Sequence, residues 1–207
     1  MASATMAGMR LPSVLFHSDL PQAELHAARL DGELYRVDQC FSPIDEIESR
    51  LLRAKALFLT LPPRLIAEQR SAAWIYGAAG LPTRHQLCAD ISARVRPATL
   101  VALSVREVVI DDEDLDRIAG LAVTTPVRTV VDLARNSLRF DDEELDIICS
   151  LMRSGRFGLE ECRAVLDRRR NLPHKTLAVE RIREAVRRID SVRQPLHPAV
   201  LSGLSPR

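Results

Sequence analysis

Residues 11–42 read LPSVLFHSDLPQAELHAARLDGELYRVDQCFS, and the fold turns on how this stretch is parsed. Leu11, Val14 and Leu15 fall at helical spacing, and His17-Ser18-Asp19 interrupts them with residues that favour turns and helix caps. A second apolar stripe, Leu20, Ala23, Ala27 and Leu30, closes at Asp31-Gly32. Beyond Gly32 the pattern alternates, with Leu34, Arg36, Asp38 and Cys40 on one face and Tyr35, Val37, Gln39 and Phe41 on the other. A period of 3.6 giving way to a period of 2 across a tight Asp-Gly predicts two short helices and a β-ribbon. That is the order of a winged helix-turn-helix. It also fits an ordinary helix-turn-strand inside a small α+β domain.

The chain of 207 residues has room for one ordinary domain or two small ones. A hydrophobic content of 46% with 28% charged residues describes a globular protein rather than a disordered one. The longest apolar runs, such as Leu100–Val105, are too short to span a bilayer, and the N-terminus lacks a basic segment followed by an apolar core. Cys40, Cys88, Cys149 and Cys162 are widely scattered, which reads as small buried apolar residues in a reduced, cytoplasmic protein.

The net charge of +1 hides an uneven distribution. Residues 1–50 carry four basic and eight acidic side chains, for −4; residues 51–150 carry twelve and fourteen, for −2. Residues 151–207 carry thirteen and six, for +7. Lysine and arginine supply most non-specific affinity for DNA phosphates, so the stretch with the helix-turn-helix pattern is the poorer in cations.

After a short linker at Ser42–Asp45, a helix is expected from Ile47 to about Leu59, which places a domain boundary near residue 45. Leu61-Pro62-Pro63 ends it. Strands are then expected at Arg64–Glu68, Gln86–Ile91, Leu100–Ile110 and Ile118–Val123, with a helix of small residues at Gln69–Ala78 and an acidic loop at Asp111–Asp116. Thr125-Pro126 opens a helix as N-cap and first helical residue, with Val127, Val130, Val131 and Ala134 facing a sheet. Helices complete the chain, from Asp141, from Leu159 and from Lys175, before a Pro-rich tail. The fold class is α+β, a winged helix-turn-helix over residues 1–45 and a mixed α/β domain over 46–207 that ends in helices.

Three segments in this order resemble the AbiEi-type antitoxins of type IV toxin–antitoxin systems, particularly the actinobacterial ones. Gly32–Val37 (GELYRV) is similar to the family's wing entry, and Ser71–Gly77 (SAAWIYG) to its S-A-A-x-x-x-G helix. Val123–Ala134 (VTTPVRTVVDLA) is similar to its T-x-P-x-R-T-L-x-D-L-A segment. The resemblance implies a cytoplasmic repressor that binds the double-stranded promoter DNA of its own operon. It also implies a partner toxin of the nucleotidyltransferase class that the antitoxin neutralises. The chain departs from the family at the wing, where a basic residue and a glycine are replaced by Asp38-Gln39-Cys40.

On that reading the second helix enters the major groove with Gln22, His26 and Arg29 outward, Ser18 caps it or meets a phosphate, and Arg36 contacts the backbone from the wing. Arg94 and Arg96 extend the basic surface. Arg168, Arg169, Arg170, Arg181, Arg187 and Arg188 form a second one that either continues the DNA footprint or carries the antitoxin activity. Helix-end cations and local ion pairs are the plainer reading of the same residues, but a surplus of +7 over residues 151–207 exceeds what such pairing needs. Arg128 and Asp132, four apart, read as an exposed ion pair. His85-x-x-Cys88 lacks the further ligands a metal needs, and phosphate loops, dinucleotide turns and nucleophile elbows are missing. No enzyme, cofactor or metal is expected. Two alternatives stay open: an antitoxin acting by direct toxin contact without DNA, and a solitary transcriptional regulator.

Overall fold

The computed structural model describes residues 11–93, 103–169 and 171–193. It divides into two compact units, Met1–Thr125 and Pro126–Arg207. Both helices and strands are present in a mixed α+β arrangement. Residues 1–10, Arg94, Arg96, Arg170 and the tail from residue 194 lie outside the described residues.

The first unit opens with a correction. Leu11–Leu15 does not form a helix; Leu15 makes an isolated bridge to Phe41 instead. Its N–H donates to the Phe41 carbonyl at 2.7 Å and its own carbonyl accepts from Phe41 N–H at 2.9 Å. Pairing both backbone groups with the ribbon removes what a first helical turn would use. Asp19 then accepts from Phe16 N–H at 2.8 Å and holds the turn that follows.

Helix α1 runs Gln22–Leu30 as expected, but its buried face is another one. Leu25 is 1% exposed and packs with Leu15, Leu34 and Phe41, with Leu20 and Ala28 alongside. Burial of such a leucine contributes about 1.5–3 kcal/mol. Leu30, expected inward, is 82% exposed. Two alanines in the expected stripe offered too little apolar surface to fix the rotation of the helix. The helix ends through Gly32, whose φ of +80° sits in the left-handed region and lets Glu33 N–H reach back to Ala28 O at 2.9 Å.

The alternating stretch folds into an antiparallel ribbon, β1 (Leu34–Val37) and β2 (Cys40–Pro43), in the register Val37 to Cys40 and Leu34 to Pro43. Asp38, at φ +55°, turns its tip. Helix α2 (Arg50–Thr60) starts at Ser49, whose hydroxyl accepts from Leu52 N–H at 3.3 Å. Next come β3 (Ile66–Ala67), α3 (Gln69–Tyr76), β4 (His85–Asp90) and β5 (Leu103–Val108).

The strand expected over Ile118–Val123 is a hairpin, β6 (Leu115–Ile118) and β7 (Leu121–Thr124). Ala119 and Gly120 turn it with φ of +48° and +89°, the pair of left-handed residues a two-residue hairpin requires. The sheet order is β5-β4-β3-β7-β6, parallel at β4/β5 and β3/β7 and antiparallel elsewhere. Its core gathers Leu57, Trp74, Ile75, Leu87 and Val123, and the ribbon contributes Val37 and Cys40 to the same cluster.

Among its described residues the second unit holds four helices, α4 (Pro126–Asn136), α5 (Asp142–Gly155), α6 (Leu159–Asp167) and α7 (Lys175–Arg193). Asp141 caps α5 by accepting from Glu144 N–H at 3.1 Å. Leu145, Ile148, Cys149 and Met152 are all buried, as their spacing predicts. Helix α4 lies against the other three, and every residue from Arg128 to Ala134 is buried.

Candidate nucleic-acid interface

Helix α1 and the ribbon enclose an open concavity of about 580 Å³, lined by Phe16, His17, Gln22, Leu25, His26, Arg36, Gln39 and Phe41. Gln22 and His26 lie one helical turn apart on the exposed side of α1, and Arg36 projects from the exposed side of β1. Three of the residues expected to read DNA therefore converge. Aromatic rings form the walls: Phe16 and His17 lie with centroids 4.0 Å apart, and His26 meets the Phe41 ring edge-on at 5.2 Å. Amide, imidazole and guanidinium groups over an apolar floor can hydrogen-bond base edges and phosphate oxygens.

Arg36 is not loose. Its Nε donates to the Asp38 carbonyl at 2.6 Å, which aims the guanidinium from the ribbon tip and leaves its other N–H groups for a ligand. Ser18 is exposed in the turn before α1 and does not cap it; Pro21 occupies the N-cap position with no side-chain bond. Arg29 is exposed in the last turn of α1 and does not line the concavity. Sequence reasoning missed His17, Gln39 and the two phenylalanines. The signal for Gln39 was the Asp38-Gln39 pair, which could have been read as a hairpin turn instead of as strand.

Behind the ribbon tip runs a buried polar chain. His85, 4% exposed, faces Asp38 Oδ2 through Nε2 at 3.2 Å and Ser71 Oγ through Nδ1 at 3.1 Å. Ser71 Oγ also accepts from Gln86 N–H at 2.8 Å. The Trp74 ring lies 5.9 Å from the imidazole. Nearby, Glu68 is 1% exposed and accepts two hydrogen bonds from Arg106, both at 2.7 Å.

In the second unit the structure uses most of the expected basic surface internally. Arg181 Nη1 donates to Ala134 O at 2.8 Å and Ser137 O at 3.2 Å, closing the C-terminal end of α4, and its guanidinium sits 4.5 Å over the Phe140 ring. Arg188 pairs with Asp142 at 2.7 Å and Asp146 at 3.0 Å, and Arg187 pairs with Glu184. Arg168 occupies the C-cap position of α6, and Arg169 follows it; both make contacts within the protein.

Arg128 and Asp132 are a second correction. They are 8% and 1% exposed, not a surface pair, with Arg128 Nε donating to Asp132 Oδ2 at 2.8 Å. Arg135 approaches the other carboxylate oxygen at 3.4 Å. A spacing of four puts the two charges on one face of a helix but does not say whether that face meets water.

Among the described residues no group of three or more His, Cys, Asp and Glu side chains could hold a metal ion. All four cysteines are buried thiols. Among those same residues no helix is long and apolar enough to cross a membrane.

A family model described as the AbiEi antitoxin C-terminal domain matches residues 65–170, half of the chain. The match runs from the start of the five-stranded sheet to the end of α6. Among solved structures, the RV2827C protein from Mycobacterium tuberculosis is 17% identical. The alignment covers 87% of this chain and 72% of that one, with a TM-score of 0.46. No protein of curated function matches the chain.

Proposed function

The chain belongs to the AbiEi antitoxin family, and from that premise we propose that it represses its own operon by binding promoter DNA and neutralises a nucleotidyltransferase-class toxin. Residues 1–45 are the DNA-facing part and residues 46–207 the antitoxin part. The observation that carries the DNA reading is the convergence of Gln22, His26 and Arg36 on one concave face. Gln22 offers an amide that pairs with adenine, His26 a ring nitrogen for a base edge, and Arg36 a guanidinium for phosphate or guanine. Ser18 and Arg29 flank that face, and Arg94 and Arg96 are proposed to add phosphate contacts. No chemical step belongs to this function: the protein acts by binding.

The test is a gel-shift against the DNA upstream of the protein's own gene at several salt concentrations. Specific binding with log K falling by about 0.9 per tenfold rise in salt for each phosphate neutralised is the expected result. A second reading has one observation behind it. Glu24, Asp31 and Glu33 are exposed around α1, and residues 1–50 carry a net −4. An acidic face of this kind suits a basic protein better than DNA, and on that reading the antitoxin holds its toxin directly. Absence of any shift at low salt, with co-purification of the co-expressed toxin, decides for it.

A further inference from the structure

The chain from Gln86 through Ser71 and His85 to Asp38 has a single sense of donation in its neutral form. The Asp38 carboxylate can only accept, so in the neutral imidazole Nε2 carries the proton and donates to it. Nδ1 is then the acceptor for the Ser71 hydroxyl, whose Oγ also accepts from the Gln86 N–H. The chain links strand β4 and helix α3 of the sheet to the tip of the ribbon, 47 residues away in sequence.

The same three residue types build hydrolase triads, but here the serine is 0% exposed and accepts a backbone N–H. The arrangement suits holding, not attack. What it holds is the one non-glycine residue in the ribbon with left-handed backbone, Asp38 at φ +55°. The carbonyl of that residue also accepts from Arg36 Nε. A two-stranded ribbon with a strained tip is marginal unless something fixes it.

We propose that His85 is a positioning residue for nucleic-acid binding: by tying the Asp38 carboxylate to the sheet, it sets the direction in which Arg36 meets a phosphate. The inference rests on the promoter-binding reading for the identity of the ligand. The ordering of the tip can be measured without any ligand.

The experiment uses the full chain in wild-type, His85→Phe, His85→Gln and Arg36→Ala forms. Amide hydrogen exchange at residues 37–40 is read first. His85→Phe fills the same space without a donor and is expected to speed exchange there at least tenfold, with α1 and α3 unchanged. His85→Gln places a side-chain amide near the lost Nε2–H and is expected to keep the protection. On promoter DNA, His85→Phe lowers the salt slope by about one, as Arg36→Ala does, and the double variant falls no further.

Should His85→Phe not fold, Asp38→Gly removes the carboxylate from the ribbon side, with Gln39→Gly as the control for added backbone freedom. Faster exchange in Asp38→Gly than in the control then carries the proposal. Unchanged tip protection in His85→Phe, or equal loss in His85→Gln, overturns it. Wild-type protein that binds no promoter DNA refutes the promoter reading and the phosphate contact with it. In that case the exchange data alone still decide whether His85 sets the tip.

Discussion

Replacing Asp132 by asparagine separates a buried ion pair from the surface pair its spacing suggests. The Asp132 side chain is 2% exposed, and its two oxygens face Arg128 Nε at 2.8 Å and Arg135 Nη1 at 3.4 Å. Each arginine side chain is 10% exposed. The substitution keeps the volume and removes the charge, so two cations of low exposure lose their shared carboxylate. Breaking one side of a buried pair costs about 3–5 kcal/mol, against about 0.3–0.5 kcal/mol for an exposed pair on one helix. Both arginines keep other contacts, which favours the lower end, about 3 kcal/mol. At ~2–4 °C per kcal/mol for a chain of this length, the melting temperature falls by roughly 6–12 °C. Circular dichroism melts and urea midpoints measure this directly. The double replacement Arg128→Met with Asp132→Leu recovers the Arg128 share of the loss, because apolar groups of similar size need no partner, while Arg135 still lacks its carboxylate. A fall of less than ~2 °C in Asp132→Asn would falsify the buried-pair argument.

Three further outcomes are expected. Arg181→Met loses two hydrogen bonds that close α4 and its stacking on Phe140, so the urea midpoint drops by the equivalent of about 2 kcal/mol while promoter affinity stays within about twofold; a large affinity loss at unchanged stability would return Arg181 to a binding surface. Burial pushes the Cys40 and Cys162 thiols up to about 12, and burial also raises Cys149. A thiol reagent at mildly alkaline pH is therefore expected to leave these three untouched in native protein and to label all of them in denaturant. Glu161 accepts from Gly158 N–H at 2.9 Å at the start of α6, and that bond holds its carboxyl below the ordinary 4.5. A lowered carboxyl stabilises the fold above its unfolded value and loses the effect as pH falls through the folded one. The stability gap between wild type and Glu161→Ala should accordingly be present at neutral pH and close in acid; a gap that persists unchanged under acid conditions contradicts the cap.

Local chemistry made the elements with strong end signals legible. Thr125-Pro126 opens α4, Asp141 opens α5 and Gly32 ends α1, each where the sequence pattern puts it, whereas Gly77 ends α3 at Tyr76, two residues before the expected Ala78. Other features depend on contacts that periodicity cannot carry. Leu11–Leu15 has helical spacing, yet Phe41 claims its backbone. The turn between β6 and β7 places an alanine, Ala119, where a glycine or asparagine would have announced it. With the metal reading of His85-x-x-Cys88 set aside, the sequence gives His85 no role, because its partner Asp38 is 47 residues distant.

Asp38 is the point where the candidate site and its legibility meet. The resembled family's wing has a basic residue and a glycine here, so an aspartate looks like the loss of a phosphate contact and of conformational freedom at once. The structure gives the residue two other uses. Aspartate tolerates the left-handed turn better than most side chains, so the tip closes without glycine. Its carboxylate engages His85 and its carbonyl engages Arg36, so one residue spans the sheet and the exposed cation. On the proposed reading, the missing basic residue is offset by a single arginine held in a fixed direction. An oriented guanidinium loses less freedom on meeting a phosphate than a loose one. It follows that restoring the family pattern with Asp38→Lys should add a charge but free the tip. Promoter affinity should then rise by less than a full phosphate contact supplies, and a full unit of added salt slope would show that the tether to His85 contributes nothing.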